Sequence, residues 1–321
     1  MNPALPAEAA EFGAGAEKAF TALGGMDAAR RAEADPAQRA AVAAALGSLG
    51  VEELDPLADL DTAAAAGELC RAAGRVALPY PLVAGLLREE AGGPAFALVP
   101  GAGPGAAGGW AVDHGDLFAD WVVADVGGRA HGARAGAPRL GTRLGPFVAP
   151  MEPAGPVSGA ADLPVRVDMH LTLTAWTVLG YLERALELAV DHVNGRVQFG
   201  QPLAAFQAVQ FQLADAAVIV DGLRELCRFT LWRVATDPSG ARPDTLALRL
   251  QAVDGARAAL RTCQQLHGAA GLCDEYDVSI LYRHVQPALR LPFSAERTAE
   301  ELAAAVDRCG FAGLFPHGAG R

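Results

Sequence analysis

The fold is decided by residues 170–203, which read HLTLTAWTVLGYLERALELAVDHVNGRVQFGQPL. Apolar residues recur in this stretch at steps of three and four, and they are Leu171, Ala175, Leu179, Leu182, Leu186, Ala189 and Val193. This spacing gives a helix one apolar stripe, while charged residues such as Glu183 and Glu187 fall on the outward side. The pattern predicts a long amphipathic helix that packs against a core.

Further helices are predicted after this one. The first covers about 205–234 and ends before Asp237-Pro238-Ser239-Gly240, and the second begins at Pro243 and ends at the glycines after His267. The third covers roughly 279–291, with a kink at Pro287, and the last follows Ser294. These boundaries follow from proline, which favours the first turn of a helix, and from glycine, which favours its end. Four or five helices with short connections are typical of an antiparallel bundle, which we assign to residues 166–321.

The two preceding parts of the chain differ in character. Residues 1–91 alternate short helical segments with stop signals, which predicts an N-terminal helical domain. Residues 92–165 are dense in glycine and proline. Short β-prone runs at 95–99, 109–112, 121–126 and 164–167 predict a small β-domain there. The predicted fold class is therefore mainly α with a small β-domain.

A glycine pattern lies in the β-rich part. Gly103, Gly105 and Gly108 satisfy the spacing G-x-G-x-x-G. A dinucleotide site needs a helix directly after such glycines, because the N–H groups at the helix start hold the pyrophosphate. The next residues, Gly109 to Val112, predict a strand instead. We therefore interpret the pattern as a glycine-rich loop.

Composition and motif searches exclude several classes of function. A net charge of −11 and a pI near 5.1 argue against general nucleic-acid binding. Five scattered cysteines without a C-x-x-C pair, and histidines without H-E-x-x-H, predict neither a disulfide framework nor a metal site. No G-x-S-x-G or S-x-x-K nucleophile motif is present. The sequence contains no signal peptide and no apolar run long enough for a membrane helix, so we expect a cytoplasmic protein.

The turn after the long helix carries a set of side chains suited to a ligand. They are Arg196, Gln198, Phe199, Leu203 and Gln207. A guanidinium can pair bidentately with a diphosphate, an aromatic ring can pack on a ring system, and an amide can bond a sugar or phosphate. The alternative is purely structural: a tight connection between two helices, in which Phe199 is buried.

A second stretch, residues 265–271, reads QLHGAAG at the end of the third bundle helix. Small residues just past a helix end leave backbone N–H groups open to a phosphate or a ribityl chain. Gly268 alone would be an ordinary helix end. Taken together in this helical context, the two stretches resemble the C-terminal domain of the acyl-CoA dehydrogenase family.

This resemblance implies an N-terminal helical domain, a reduced middle β-domain and a C-terminal antiparallel four-helix bundle. Family members are flavoproteins in which a carboxylate removes the α-proton of an acyl-CoA while hydride passes from the β-carbon to the flavin. The resemblance also implies that the two motifs contact an FAD held mainly by a neighbouring subunit. The implied contact residues are Arg196, Gln198, Phe199, Leu203, Gln207, Gln265, His267, Gly268 and Ala269. Ala269 stands where the family has its second glycine.

The chain departs from the family pattern at two places. Its β-rich part lacks the flavin-contacting segment of T-E-P-x-A-G-S-D type. Alignment from Gln265 brings Pro292, and alignment from Arg196 brings His170, to the two positions where the family places its catalytic glutamate. His170 has no identifiable orienting partner in the sequence, as a base normally has. We therefore predict no catalytic residue in this chain.

A chain of this kind resembles the short subunit of the heteromeric α2β2 acyl-CoA dehydrogenases of actinobacterial steroid side-chain degradation. That resemblance implies FAD as the cofactor and a CoA thioester, possibly with a steroid side chain, as the substrate. It also implies a longer acyl-CoA dehydrogenase subunit as the partner that supplies the flavin pocket and the base. Two alternatives stay open: a non-catalytic scaffold subunit that binds no cofactor, and a family fold redirected to other chemistry.

Overall fold

The structure of the protein is a computed structural model, which describes residues 5–48, 50–90, 92–101, 109–136, 144–157 and 162–310. The glycine pattern of residues 103–108 lies outside these ranges. Five helices form the N-terminal part of the chain. They are α1 (Ala7–Ala22), α2 (Gly25–Ala34), α3 (Arg39–Ser48), α4 (Leu60–Arg75) and α5 (Leu82–Leu86).

Capping residues fix two of the N-terminal boundaries. The Asp59 carboxylate accepts a hydrogen bond from the backbone N–H of Thr62 at 2.8 Å, and the Thr62 hydroxyl oxygen accepts one from the N–H of Asp59. This capping box fixes the start of α4 at Leu60. Asp35 accepts from the N–H of Ala37, but it caps a short 3-10 turn that precedes α3.

A small mixed sheet follows the N-terminal helices. Its strands are β1 (Ala95–Leu98), β2 (Trp110–Asp113), β3 (Trp121–Ala124), β4 (Ala130–Ala135) and β5 (Val148–Pro156). The spatial order is β1-β3-β4-β5-β2, with β1 and β3 parallel and the other pairs antiparallel. Trp121 is fully buried, and its indole N–H donates to the carbonyl of Gly115 at 2.9 Å. This sheet forms a second, smaller core beside the helical one.

The β-prone run at residues 164–167 is not a strand, so that expectation is wrong. These residues form the first turn of a helix that starts at Leu163. Pro164 suits a first turn because its missing N–H has no partner there in any case. Arg166 also stabilises the turn, since its guanidinium pairs with Asp162 at 2.6 Å and donates to the carbonyl of Leu87 at 2.6 Å. A short apolar run does not by itself distinguish a strand from a buried helical turn.

The remaining chain is helical apart from a two-stranded hairpin. Its elements are α6 (Leu163–Gly195), β6 (Val197–Gln198), β7 (Gln201–Pro202), α7 (Gln207–Thr236), α8 (Arg242–His267), α9 (Asp277–His284), α10 (Gln286–Arg290) and α11 (Ala295–Cys309). Helix α6 is the central element, because α4, α7 and α8 all pack against it. The predicted break near Pro287 is observed, since α9 ends at His284 and α10 begins at Gln286.

Glycines allow α4 and α6 to approach with their backbones almost touching. A Cβ added to Gly180 would lie 2.0 Å from the carbonyl oxygen of Arg71, and one added to Gly74 would lie 2.1 Å from that of Thr177. Any side chain at these positions would separate the helices. The N-terminal helices and the bundle therefore share one continuous core.

The predicted fold class, mainly α with a small β-domain and a C-terminal helical bundle, is confirmed. Within the described residues, the helices are all too short or too polar to span a membrane.

Candidate functional site

The last turns of α6 and α8 lie side by side at one end of the bundle. The imidazole rings of His192 and His267 stack there, with centroids 4.5 Å apart and an interplanar angle of 28°. Tyr276 contacts the edge of His192. The first motif follows His192 directly, and the second motif contains His267. Tertiary packing thus brings the two motifs to the same end of the bundle.

The first motif forms a tight hairpin between α6 and α7. β6 pairs antiparallel with β7, and both residues of the connecting turn, Phe199 at φ +53° and Gly200 at φ +84°, have left-handed backbones. This is the geometry of a two-residue hairpin turn, which favours glycine or asparagine over an aromatic residue. Phe199 is nevertheless there, and 91% of its surface is exposed. The structural alternative, in which Phe199 is buried in a helix corner, is wrong on this point.

Arg196 joins α6 to this hairpin, and its carbonyl accepts a hydrogen bond from the N–H of Leu203 at 2.9 Å. Its side chain is exposed. Within the described residues, the Arg196 guanidinium has no carboxylate or carbonyl partner, whereas Arg224 pairs with two carboxylates and Arg75 with three. The side chains of Gln198 and Gln207 are exposed in the same region, and Leu203 packs partly against the core.

The second motif ends α8. Gly268 adopts a left-handed φ of +62°, and residues 268–272 continue as a 3-10 turn. Gln265, Gly268 and Ala269 are exposed at this end. His267 differs from them because it is buried and its Nδ1 lies 2.7 Å from the carbonyl oxygen of Cys263. A carbonyl can only accept, so Nδ1 carries a proton and donates it to this carbonyl.

Two neighbouring side chains act on the ionisation of His192 at this end of the bundle. Burial lowers the pKa of His192, and His267 and Arg196 lower it further. The Arg196 guanidinium therefore lies close enough to His192 to act on it electrostatically, and it is a cationic group that an anionic ligand could bind.

A second feature lies between the sheet and the helices. It is a cavity of about 150 Å³ enclosed by residues of β1, β2, α4, α6 and α10. His170 and Pro292, the two positions that align with the family's catalytic glutamate, both line it. The structure therefore places the two positions identified by the sequence alignment in the wall of the same cavity.

The cavity contains an acid that sequence reasoning missed. Asp113, the last residue of β2, lines the cavity, and burial raises its pKa to about 7 against the opposing effects of the His114 N–H and Arg39. Burial and Arg249 lower the pKa of His170 to about 3. A lone aspartate at the end of a short strand gives no sequence signal that could have singled it out.

Metal binding was not expected from the sequence. In the ranges that the structure covers, we find no group of three or more His, Cys, Asp or Glu side chains placed to hold a metal ion.

Comparison with known proteins agrees with this architecture. Residues 167–289 match the family described as acyl-CoA dehydrogenase, C-terminal domain. The probable acyl-CoA dehydrogenase YngJ of Bacillus subtilis (strain 168) is 30% identical over 131 residues, which are 40% of this chain and 33% of that protein. The matched segment thus spans about a third of the length of such a curated relative.

Solved structures resemble the chain over nearly all of its length. The ChsE4-ChsE5 complex from Mycobacterium tuberculosis superposes with a TM-score of 0.78 at 18% identity, covering 96% of this chain and 99% of the other. A variant of the Tcur3481-Tcur3483 steroid ACAD gives a TM-score of 0.75 at 21% identity, covering 94% and 98%.

These similarities define the class of protein: the chain has the acyl-CoA dehydrogenase fold. More particularly, residues 167–289 match the acyl-CoA dehydrogenase C-terminal domain, which agrees with the resemblance drawn from the two motifs.

Proposed function

We propose that this chain is a subunit of a heteromeric FAD-dependent acyl-CoA dehydrogenase. In this proposal it supplies contacts to the adenosine-diphosphate part of an FAD whose ring lies in a longer partner subunit. One observation carries the proposal: Arg196, which has no ion-pair partner among the described residues, and the exposed Phe199 lie at the same end of the bundle as Gln265 and Gly268.

The residues at this end suit a dinucleotide. The Arg196 guanidinium can bind a diphosphate through two parallel hydrogen bonds, and the exposed ring of Phe199 offers an apolar surface. The amides of Gln198, Gln207 and Gln265 are exposed and can bond ribose or phosphate oxygens. FAD, when bound, supplies the hydride acceptor for oxidation of a CoA thioester to the α,β-unsaturated thioester.

The cavity between the sheet and the helices of this chain does not suit the flavin ring. The cavity beside His170 has a volume of about 150 Å³, whereas cofactor sites usually measure about 300–1,000 Å³. His170 is a weak base because its pKa is about 3, and Pro292 has no titratable group. We therefore assign the ring pocket and the catalytic base to the partner, and no catalytic residue to this chain.

Exposed apolar side chains support contact with a partner. Phe211 and Val218 lie two turns apart on one face of α7, with 60% and 72% of their surfaces exposed. Gln207 lies one turn before Phe211 on the same face. Large exposed apolar side chains on one helix face can mark a protein interface, although the exposed Asp215 lies between these two. A partner seated on this face would lie directly beside the proposed cofactor contacts.

The finer parts of the proposal follow from the similar structures. Because the ChsE4-ChsE5 structure is a complex and the Tcur3481-Tcur3483 protein is a steroid ACAD, we propose an α2β2 assembly and a steroid side-chain CoA thioester as one candidate substrate. We also propose the domain division 1–91, 92–165 and 166–321.

Co-expression tests the proposal. The chain is produced alone and together with a longer acyl-CoA dehydrogenase encoded beside it, and flavin absorbance and thioester-dependent reduction of a dye are measured. We expect the isolated chain to be colourless and the complex to be yellow and active. Tightly bound FAD in the isolated chain would contradict the shared site.

The second candidate function is a scaffold subunit that binds no cofactor. It predicts a stable complex whose flavin content does not depend on Arg196. The Arg196 guanidinium, without an ion-pair partner in the part of the chain that the structure describes, argues against it, because a scaffold needs no such group at a helix end.

A further inference from the structure

The cavity between the sheet and α6 has an apolar wall with a few polar groups. Its apolar lining includes Leu78, Leu82, Ala97, Leu98, Phe147 and Leu291. Residues 196–207 and 265–269, which carry the proposed FAD contacts, do not line it. The cavity is therefore separate from the site at the end of the bundle.

Two buried polar atoms in the cavity wall have no hydrogen-bond partner. They are Oδ1 of Asp113 and Nδ1 of His170, which come from β2 and α6 and so from different parts of the fold. Buried polar groups are nearly always paired with protein or with an ordered molecule. Asp113 retains 34% of its side-chain surface, although burial raises its pKa. Since Asp113 lines the cavity, we attribute that surface to the cavity.

Further acceptors lie in the same wall. The hydroxyls of Thr174 and Thr177 donate to the carbonyls of His170 and Leu173 at 2.7 and 3.1 Å. Their oxygen atoms therefore keep lone pairs that can accept a hydrogen bond from a ligand.

The ionisation of the side chains that line the cavity favours an uncharged ligand. The pKa of His170 is about 3, and burial, Arg39 and His284 hold the pKa of His114 well below its ordinary value. Both imidazoles are therefore neutral near pH 7. The third imidazole of the lining, His284, is paired with Glu33 at 2.8 Å. Among the described residues, an anionic ligand would therefore meet no unpaired cationic side chain in the wall, and a cationic ligand would require Asp113, whose pKa is about 7, to ionise against burial.

We propose that this cavity binds one small uncharged organic molecule that carries a hydroxyl group. The hydroxyl hydrogen-bonds Asp113 and His170, and the carbon skeleton packs against the apolar wall. The volume matches a single six-membered ring, because an apolar cavity of about 150 Å³ holds benzene. The ligand class is thus a phenol or a cyclic alcohol, bound apart from any FAD.

Phenol and toluene provide a matched pair of probes, since they differ only in a hydroxyl against a methyl group. Binding to the full chain, or to its complex where the chain is isolated only with a partner, is measured by ligand-observed NMR and calorimetry. We expect phenol to bind at one site per chain, about tenfold more tightly than toluene, because one or two neutral hydrogen bonds distinguish them.

Two variants locate the site. His170→Phe keeps the ring but removes Nδ1, and we expect it to abolish the preference for phenol. Ala288→Leu fills the cavity and should weaken both probes, while Ala303→Leu, at an exposed position of α11, should change neither. Thermal melting verifies that each variant is folded.

Three outcomes overturn the proposal: no binding of either probe at about 10 mM, equal affinity for phenol and toluene, or phenol binding that Ala288→Leu does not weaken in a folded variant. The first outcome would mean that water alone fills the cavity.

Discussion

His192 stacks on His267 with ring centroids 4.5 Å apart, and this contact joins the end of α6 to the end of α8. His267 belongs to the second motif, and His192 lies one turn before the first motif, which is distant from the second in sequence. Their contact places Arg196, one turn after His192, beside the exposed residues Gln265 and Gly268. The proposed cofactor contacts therefore depend on how the two helices pack.

Arg196→Ala tests the diphosphate contact. Hydrogen bonds to a charged group contribute about 1.5–3 kcal/mol, so we expect FAD affinity of the complex to fall roughly tenfold to a hundredfold. Flavin release during dialysis and fluorescence titration measure this loss. Arg261→Ala is the matched control, because Arg261 is another exposed arginine without a partner in the described residues. Equal FAD retention by the two variants would remove Arg196 from the site.

Gly180→Ala tests the close contact between α4 and α6. The new methyl group would lie 2.0 Å from the carbonyl oxygen of Arg71, and we expect a loss of about 3 kcal/mol in the free energy of unfolding. Gly222→Ala in α7 is the control, because a Cβ there meets no atom within 4 Å. It should stabilise the protein by about 0.5–1 kcal/mol. Denaturant unfolding compares the two, and a neutral Gly180→Ala would contradict the close approach.

Glu33 makes stability depend on pH in the acid range. Burial acts to raise its pKa, but hydrogen bonds from His284 at 2.8 Å and Arg283 at 3.0 Å outweigh this and lower the pKa from 4.5 to about 2. Because the pKa is lower in the folded protein than in the unfolded chain, ionised Glu33 stabilises the fold. This stabilisation is complete above pH 4.5 and disappears as the pH falls toward 2.

Melting temperatures between pH 7 and pH 2 check this effect. We expect Glu33→Gln to be less stable than the parent chain at pH 7, with the difference shrinking below pH 4.5. Glu300→Gln, at an exposed position, should leave the profile unchanged. A constant difference between Glu33→Gln and the parent at all pH values would show that the ionisation of Glu33 is not responsible.

Phe211→Glu and Val218→Glu test the proposed partner surface on α7. Each replaces an exposed apolar side chain by a charge, which would be buried without a counter-charge in an interface. We expect either variant to fold normally but to lose most of the co-purified partner. Ala303→Glu, on the exposed side of α11, should retain it. Undiminished assembly of both α7 variants would place the interface elsewhere.

Helical periodicity predicted most of the bundle correctly. The apolar spacing in residues 170–193 identified α6, and prolines and glycines gave the approximate limits of α7, α8 and α11. The same reasoning failed at residues 164–167, because Val165 and Val167 fit a strand as well as a helix. Strands β4 and β5 were not identified, since their sequences are rich in glycine, proline and alanine and contain a single β-branched residue, Val148, of the kind that usually indicates a strand.

The sequence by itself determined the helical bundle, the two motifs and the residues, His170 and Pro292, at the two positions aligned with the family's catalytic glutamate. Each of these depends on residue type and on short spacing along the chain. Only the tertiary structure decided that the motifs meet, that Phe199 is exposed, and that Asp113 joins His170 and Pro292 around one cavity. These features arise from contacts between elements distant in sequence. Local periodicity carries no information about them, since it sets which face of a helix is buried but not which residues lie opposite.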